Sequence, residues 1–226
     1  MEINIRGALG TQVFEYVLGL ARAKMAGETV THVNVNVFGG IVQPAKVDWI
    51  SKIIDVPYPV RIIQSTAKQG VWNDPDNFKD IIKSGVLEDV VCKVDTIPTN
   101  YDILHVRGKD RIIASTPDYT KLMHVIGRDV KLVGDDNDLI DTVIRKVGFG
   151  ENISVDEITD WAMLKGCRRI YCAFTNYPLS ALLFNPYVEI NMLSAENSNG
   201  HVNIEDDSYS CVDVFFKEYL KNGRWI

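Results

Sequence analysis

The chain lacks the marks of several large protein classes. In its 226 residues, no apolar run approaches the roughly 20 residues that a helix needs to cross a bilayer. Its 24 basic residues are outnumbered by 30 acidic ones, and the net charge of -6 argues against a nucleic-acid partner, because duplex-binding proteins present a basic face to the phosphates. The four cysteines stand without CxxC spacing, which predicts reduced thiols rather than a disulfide framework or a zinc site.

What the chain contains is the composition of a folded domain. Hydrophobic residues make up 46% and charged residues 24%, which is close to the average for globular domains and excludes an intrinsically disordered chain. The amino terminus carries the acidic Glu2 and no apolar stretch, so no signal peptide is predicted. Together with the missing membrane segment, this predicts a cytoplasmic protein.

Short β-rich runs alternate with helical patterns along the chain. The stretch 11–25 has helical spacing, and Thr11 is placed to cap that helix. Such alternation predicts an α/β fold in which helices flank parallel sheets. The pattern breaks at residues 95–100, which predicts two lobes, residues 1–97 and 98–226.

Polar and glycine residues follow several of the predicted strands. Ligands of open parallel sheets bind beyond the carboxyl ends of the strands, so these loops are candidate sites. The loops comprise residues 7–12, 105–110, 134–138 and 174–178.

The first of these loops, GALGTQ, contains two glycines. Gly7 and Gly10 would let the backbone approach a phosphate or sugar closely. The spacing is not GxGxxG, so a dinucleotide site is only weakly indicated, and an ordinary tight turn is the alternative.

The second loop, LHVRGKD, carries a guanidinium at the end of an apolar strand. Arg107 would bind a diphosphate through two parallel hydrogen bonds, and Asp110 would orient Arg107 or His105. The alternative is a surface turn with mixed charges.

The third loop contains a D-x-D pattern. Asp136 and Asp138 offer the hard oxygen ligands that Mg²⁺ or Mn²⁺ prefers. Acidic residues at a helix start also complement the helix dipole, and this capping role is the favoured interpretation.

Taken together, six segments resemble, in order, motifs of the alpha-1,2-fucosyltransferase family and, more loosely, the wider fucosyltransferase superfamily. GALGTQVFEYVLGLARA is similar to that family's GGLGNQMFQYAxGLA, and LHVRGKD is similar to HxRRGD. The other four segments are GVWNDPDNF, PDYTKLM, LVGDDND and DWAMLKGCRRIYCAFTNYPLSALL.

This resemblance implies a GT-B-like transferase with two facing lobes. The first lobe would hold much of the glycan acceptor, and the second, Rossmann-like lobe would hold a GDP-sugar donor. The family inverts the anomeric centre and needs no metal or other cofactor. The implied reaction is transfer of fucose, or a related sugar, to a glycan hydroxyl.

The resemblance also implies roles for individual residues. Arg107 would grip the diphosphate, with His105 and Asp110 beside it as catalytic residues. The implied donor-binding residues are Gly7, Gly10, Gln12, Lys109, Asp136, Asp160, Thr175 and Asn176. On the acceptor side the candidates are Glu15, Trp72 and Asn73. The family does not identify the general base; the reaction needs a carboxylate or histidine within hydrogen-bond reach of the acceptor, and Glu15 and Asp110 are the candidates.

The chain departs from the family pattern at several positions. Gly108 stands where the family has a second arginine, and Lys109 is the nearest substitute. Thr11 replaces an asparagine, Phe174 another asparagine, and the segment before His105 is shorter than usual. Two alternatives follow: a metal-dependent transferase that uses the D-x-D aspartates, and a non-catalytic protein that binds sugar or nucleotide.

Overall fold

The computed structural model describes residues 1–37, 48–64, 75–107, 119–173, 175–193 and 213–226. These residues form two compact units. The first contains the described residues up to 95 and residues 213–219, and the second contains those from 96 to 193 and residues 220–226. In the described part of the chain, no helix is long and apolar enough to span a membrane.

The first unit is built on a three-stranded parallel sheet in the order β1-β2-β3. Its elements are β1 (Glu2–Arg6), α1 (Leu9–Ala26), β2 (His32–Val37), α2 (Ile50–Ile53), β3 (Val60–Gln64), α3 (Pro75–Ser84), a 3-10 turn (Val86–Glu88) and a π-helical turn (Phe215–Tyr219). Alternation in β1 buries Ile3 and Ile5 and leaves Glu2 and Asn4 exposed, as a strand with one covered face requires.

Helix α1 packs closely on β1. A Cβ atom on Gly19 would lie 2.6 Å from the Ile3 side chain, so the glycine permits this approach. The predicted cap at Thr11 is wrong. The helix begins at Leu9, because Gly7 with a φ of 78° turns the chain at once after β1, and Ala8 stands at the cap position.

The second unit contains a six-stranded parallel sheet. Its strands are β4 (Asp102–Val106), β5 (Lys131–Gly134), β6 (Glu151–Asn152), β7 (Arg169–Cys172), β8 (Glu189–Met192) and β9 (Gly223–Trp225). Its helices are α4 (Asn137–Val147), α5 (Glu157–Gly166) and α6 (Asn176–Leu182), with a 3-10 helix at Tyr119–His124.

The order of the strands in this sheet reverses at its centre. The sheet runs β6-β5-β4-β7-β8-β9, which becomes 3-2-1-4-5-6 when the strands are numbered within the unit. This is the order of doubly wound α/β sheets that bind ligands at the reversal. The predicted α/β fold with parallel sheets flanked by helices is therefore confirmed, and the reversal lies between β4 and β7.

Charged residues link the amino-terminal ends of the central strands. The buried Asp102 accepts hydrogen bonds from Arg168 at 2.7 Å and from Arg169 at 3.4 Å. Arg169 also pairs with Glu189 at 2.8 Å, so three neighbouring strands are tied together at this end. In doubly wound sheets the ligand binds at the opposite, carboxyl-terminal end of the strands.

Candidate ligand-binding site

Two of the candidate loops, those after β4 and β7, begin side by side at the point where the strand order reverses. β4 pairs with β7 in parallel, with His105 opposite Cys172, so the two strands end at the same edge of the sheet. Arg107 follows β4 directly, and Thr175 with Asn176 follows β7. Strand ends on either side of such a reversal form the crevice in which doubly wound sheets bind ligands.

Arg107 is half-buried at the exit of β4. Its backbone N–H donates a hydrogen bond to the Tyr119 hydroxyl over 2.8 Å. Burial raises the pKa of Tyr119, which keeps that hydroxyl protonated. Tyr119 thus fixes the backbone from which the Arg107 side chain extends. Sequence reasoning did not assign it a role, although it lies in the PDYTKLM segment.

His105 lies under this edge as a neutral, buried ring. It is 6% exposed, and burial together with the charge of Arg107 lowers its pKa to about 3. Its ring stacks on Tyr177 with 5.3 Å between centroids, and Nδ1 has no hydrogen-bond partner among the described residues. A base this weak transfers protons poorly at neutral pH, so the contacts favour a packing role for His105.

Thr175 stands at the cap position of α6. Thr175 is buried, and its side chain makes no capping hydrogen bond to the helix backbone. Asn176 begins the helix and is half-buried. A hydroxyl and an amide next to the end of β7 are groups that can donate hydrogen bonds to phosphate oxygens.

The ends of β4 and β5 approach each other unusually closely. Gly134 is paired with Val106, and a Cβ atom on Gly134 would lie 2.2 Å from the Val106 carbonyl oxygen. Only a residue without a side chain permits this approach. The loop after β5 therefore starts next to the loop that carries Arg107.

Asp136 follows β5 and caps α4. Its Oδ1 accepts a hydrogen bond from the Leu139 N–H over 3.1 Å, as the capping interpretation of the D-x-D pattern predicts. Asp138 is exposed in the first turn of the same helix. In the part of the chain that the structure describes, no group of three or more His, Cys, Asp and Glu side chains could hold a metal ion.

Asp160 is buried behind the end of β5. It is 3% exposed, and its carboxyl oxygens lie 2.5 Å from the Ser154 hydroxyl and 3.0 Å from the Val155 N–H. Burial raises the pKa of this carboxyl. Asp160 thus contacts the loop before α5. Nothing in the sequence pattern singles out Ser154.

The glycine-rich loop of the first unit is held by Gln12. The Gln12 side chain is fully buried and donates to the Gly7 carbonyl over 2.9 Å. Its oxygen accepts from the backbone N–H groups of Trp49 at 3.0 Å and Ile50 at 3.3 Å. Gln12 therefore joins the β1–α1 turn to the start of α2, and Gly10 is buried in the first turn of α1.

Glu15 forms a buried ion pair at the same end of the first sheet. It is 8% exposed, and it accepts from the Arg6 backbone N–H over 2.7 Å and from Arg6 Nε over 3.3 Å. Burial raises its pKa to about 7, although Arg6 opposes this shift. A carboxyl group that titrates near neutral pH suits general base catalysis.

The predicted site residues divide between the two units. The first unit holds Gly7, Gly10, Gln12 and Glu15, and the second holds His105, Arg107, Asp136, Asp160, Thr175 and Asn176. Trp72, Asn73, Lys109 and Asp110 lie outside the described residues. The second unit alone thus brings Arg107, Thr175 and Asn176 to one sheet edge.

No protein-family model matches the chain, and no match was found among the curated proteins. The resemblance to the fucosyltransferases accordingly rests on the six ordered segments.

Proposed function

We propose that the protein is a metal-independent, inverting glycosyltransferase that moves fucose or a related sugar from a GDP-sugar to a glycan hydroxyl. The observation that carries this proposal is the strand reversal between β4 and β7. Arg107 and the pair Thr175–Asn176 come from two resembling segments far apart in sequence, and they follow the two strands that flank the reversal.

The chemistry of the transfer fits these side chains. Breaking the bond between a sugar and a diphosphate leaves negative charge on the departing phosphates. The Arg107 guanidinium matches two phosphate oxygens at once, and hydroxyl and amide donors add to it. One fixed donor of this kind is typically worth about 3 kcal/mol in the transition state. Fixed cations and donors can therefore stabilise the leaving group without a metal ion.

The acceptor hydroxyl must lose a proton during the transfer. Glu15 is the described candidate, because its pKa of about 7 lets it accept a proton at neutral pH. Its place in the first unit agrees with the acceptor side that the resemblance implies.

Calorimetric titration tests donor binding directly. GDP, GDP-fucose and UDP-sugars are titrated into the protein in EDTA and then with Mn²⁺. Arg107→Ala should lower the affinity for GDP at least tenfold, because a charge-assisted contact is worth about 1.5–3 kcal/mol. Arg128→Ala is the matched control. Arg128 is exposed in the turn before β5, at the opposite end of the sheet, and its loss removes the same charge.

The other outcomes decide between the alternatives. Binding or transfer that requires Mn²⁺ would favour the metal-dependent enzyme with Asp136 and Asp138. GDP binding without transfer to any glycan acceptor would favour the non-catalytic binding protein. If a folded sample binds none of these ligands, or if Arg107→Ala binds GDP normally, the proposal is wrong.

A further inference from the structure

The hydroxyl of Ser154 continues the strand ladder where β6 ends. β6 stops at Asn152, and the next backbone contact is the Ile153 N–H to the Leu132 carbonyl over 3.0 Å. One residue further, Ser154 Oγ lies 2.8 Å from the Gly134 carbonyl oxygen and 3.5 Å from the Gly134 nitrogen. The Ser154 side chain thus contacts the Gly134 backbone at the position where a longer β6 would pair with it.

Two acceptors, the Gly134 carbonyl and the Asp160 carboxyl, compete for the single proton of the Ser154 hydroxyl. Ser154 Oγ lies 2.5 Å from Asp160 Oδ2, while Asp160 Oδ1 accepts from the Val155 N–H. If Asp160 is ionised, the single hydroxyl proton points to the carboxylate and the Gly134 carbonyl loses its donor. If Asp160 is protonated, it donates to Ser154, Ser154 donates to Gly134, and each group is satisfied.

The surroundings of Asp160 favour the protonated form. The carboxyl is 3% exposed, and no described residue places a cation against it. The charged groups that act on it from its own helix are Asp156 and Glu157, and both are acidic. Tyr177 faces it from α6 and is itself near the acidic Asp135. Burial raises the pKa of Asp160, in agreement with this arrangement.

We propose that Ser154 and Asp160 are positioning residues that fix the end of β5 for donor binding, through hydrogen bonds from protonated Asp160 to Ser154 and from Ser154 to the Gly134 carbonyl. The Gly134 backbone in turn lies against Val106, the residue before Arg107. The effect on binding rests on the proposed function, whereas the hydrogen-bond chain can be measured without it.

Four variants of the full chain test the effect on binding, with GDP as the probe. Ser154→Ala should lower GDP affinity about tenfold, because the partly buried Gly134 carbonyl loses its donor. Asp160→Ala should lower the affinity as well, because the Val155 N–H loses its acceptor and Ser154 loses the group that orients its hydroxyl toward Gly134. Ser154→Thr should recover most of the affinity that Ser154→Ala loses. Asp160→Asn should recover most of what Asp160→Ala loses, because a neutral amide can also donate to Ser154 and accept from Val155. A group that worked as a carboxylate would not be rescued by asparagine.

The pH dependence separates positioning from a merely structural role. Relative to Asp160→Asn, GDP affinity of the unmodified protein should fall as the pH rises and Asp160 loses its proton. Thr142→Ala is the control. The Thr142 hydroxyl bonds the Asp138 carbonyl on the exposed side of α4, so its loss should change neither affinity nor pH profile. If the ratio of the GDP affinities of the unmodified protein and Asp160→Asn does not change with pH, or if Ser154→Ala binds GDP normally, the positioning role is overturned.

Two measurements judge the hydrogen-bond chain on its own. Carbon-13 NMR of the Asp160 carboxyl should show that it keeps its proton to a higher pH than an exposed aspartate does, and the Gly134 amide should exchange faster in Ser154→Ala. A carboxyl that titrates like an exposed aspartate, or unchanged exchange, contradicts the hydrogen-bond chain even if GDP binds. Lack of GDP binding by the unmodified protein, with both NMR results as expected, would instead overturn the proposed function and the role in binding.

Discussion

At the residue scale, two buried carboxyl groups differ in what faces them. Glu15 faces the cation Arg6, whereas Asp160 faces a hydroxyl and a backbone N–H. Burial raises the pKa of both groups, and only Glu15 has an opposing charge. Even with that cation, desolvation is the larger effect at Glu15, because its carboxylate is almost fully removed from water.

The raised pKa of Glu15 makes stability depend on pH. Its folded pKa of about 7 lies above that of an unfolded chain, so the folded state binds the proton more tightly. This contribution is complete below about pH 4 and disappears as the pH rises through about 7, a change on the order of 3 kcal/mol. Urea unfolding of the unmodified protein and Glu15→Gln at a series of pH values measures it. Curves that stay parallel would contradict the raised pKa.

The site residues that could be predicted from the sequence are those at strand ends. Arg107 and Asn176 stand where a buried run stops, and a parallel sheet gathers such positions at one edge. Ser154 and Tyr177 could not be predicted in this way. Their partners, the Gly134 carbonyl and the His105 ring, are distant in sequence and leave no periodic pattern. Whether the predicted residues bind a donor stays a prediction.

At the element scale, the α/β class followed from alternation, but the strand order did not. β6 has two residues and β9 has three, which is too short for an alternating pattern, so neither could be predicted. The reversal between β4 and β7 depends on which side of β4 each later strand joins. That choice is made by tertiary packing, for example by the cluster in which Leu132 and Ile140 pack with Leu104.

The close approach of β4 and β5 gives a prediction at this scale. Gly134→Ala places a methyl group 2.2 Å from the Val106 carbonyl oxygen, so one strand end must move. We expect a loss of about 2 kcal/mol in the free energy of unfolding, together with weaker GDP binding. Denaturant unfolding and calorimetry measure the two effects.

Gly148→Ala is the matched control for this substitution. Gly148 ends α4 with a φ of 79°, and the added Cβ would have no neighbour within 4 Å among the described residues. It should therefore cost about 1 kcal/mol through backbone strain alone and leave GDP binding as it is. If both variants behave alike, the contact between β4 and β5 does not shape the site.

At the scale of the whole molecule, the C-terminal segment belongs to both units. Phe215 packs in the first unit, 5.1 Å from Phe78 and 6.4 Å from Phe14 between ring centroids. A few residues later, β9 pairs with β8 in the second unit. The first unit therefore ends at residue 95, the second begins at residue 96, and residues 213–219 return to the first unit.

This arrangement predicts that a substitution can destabilise one unit without destabilising the other. Phe215 is fully buried between α1 and α3, so Phe215→Ala should cost about 3–5 kcal/mol within the first unit. Hydrogen exchange followed by mass spectrometry should accelerate in α1 and α3 and stay unchanged in β4 and β7. Leu182→Ala, which removes a fully buried side chain from α6, should give the reverse pattern. Equal acceleration in both units, for either variant, would mean that the molecule unfolds as one cooperative body and that the division between the units carries no energetic meaning.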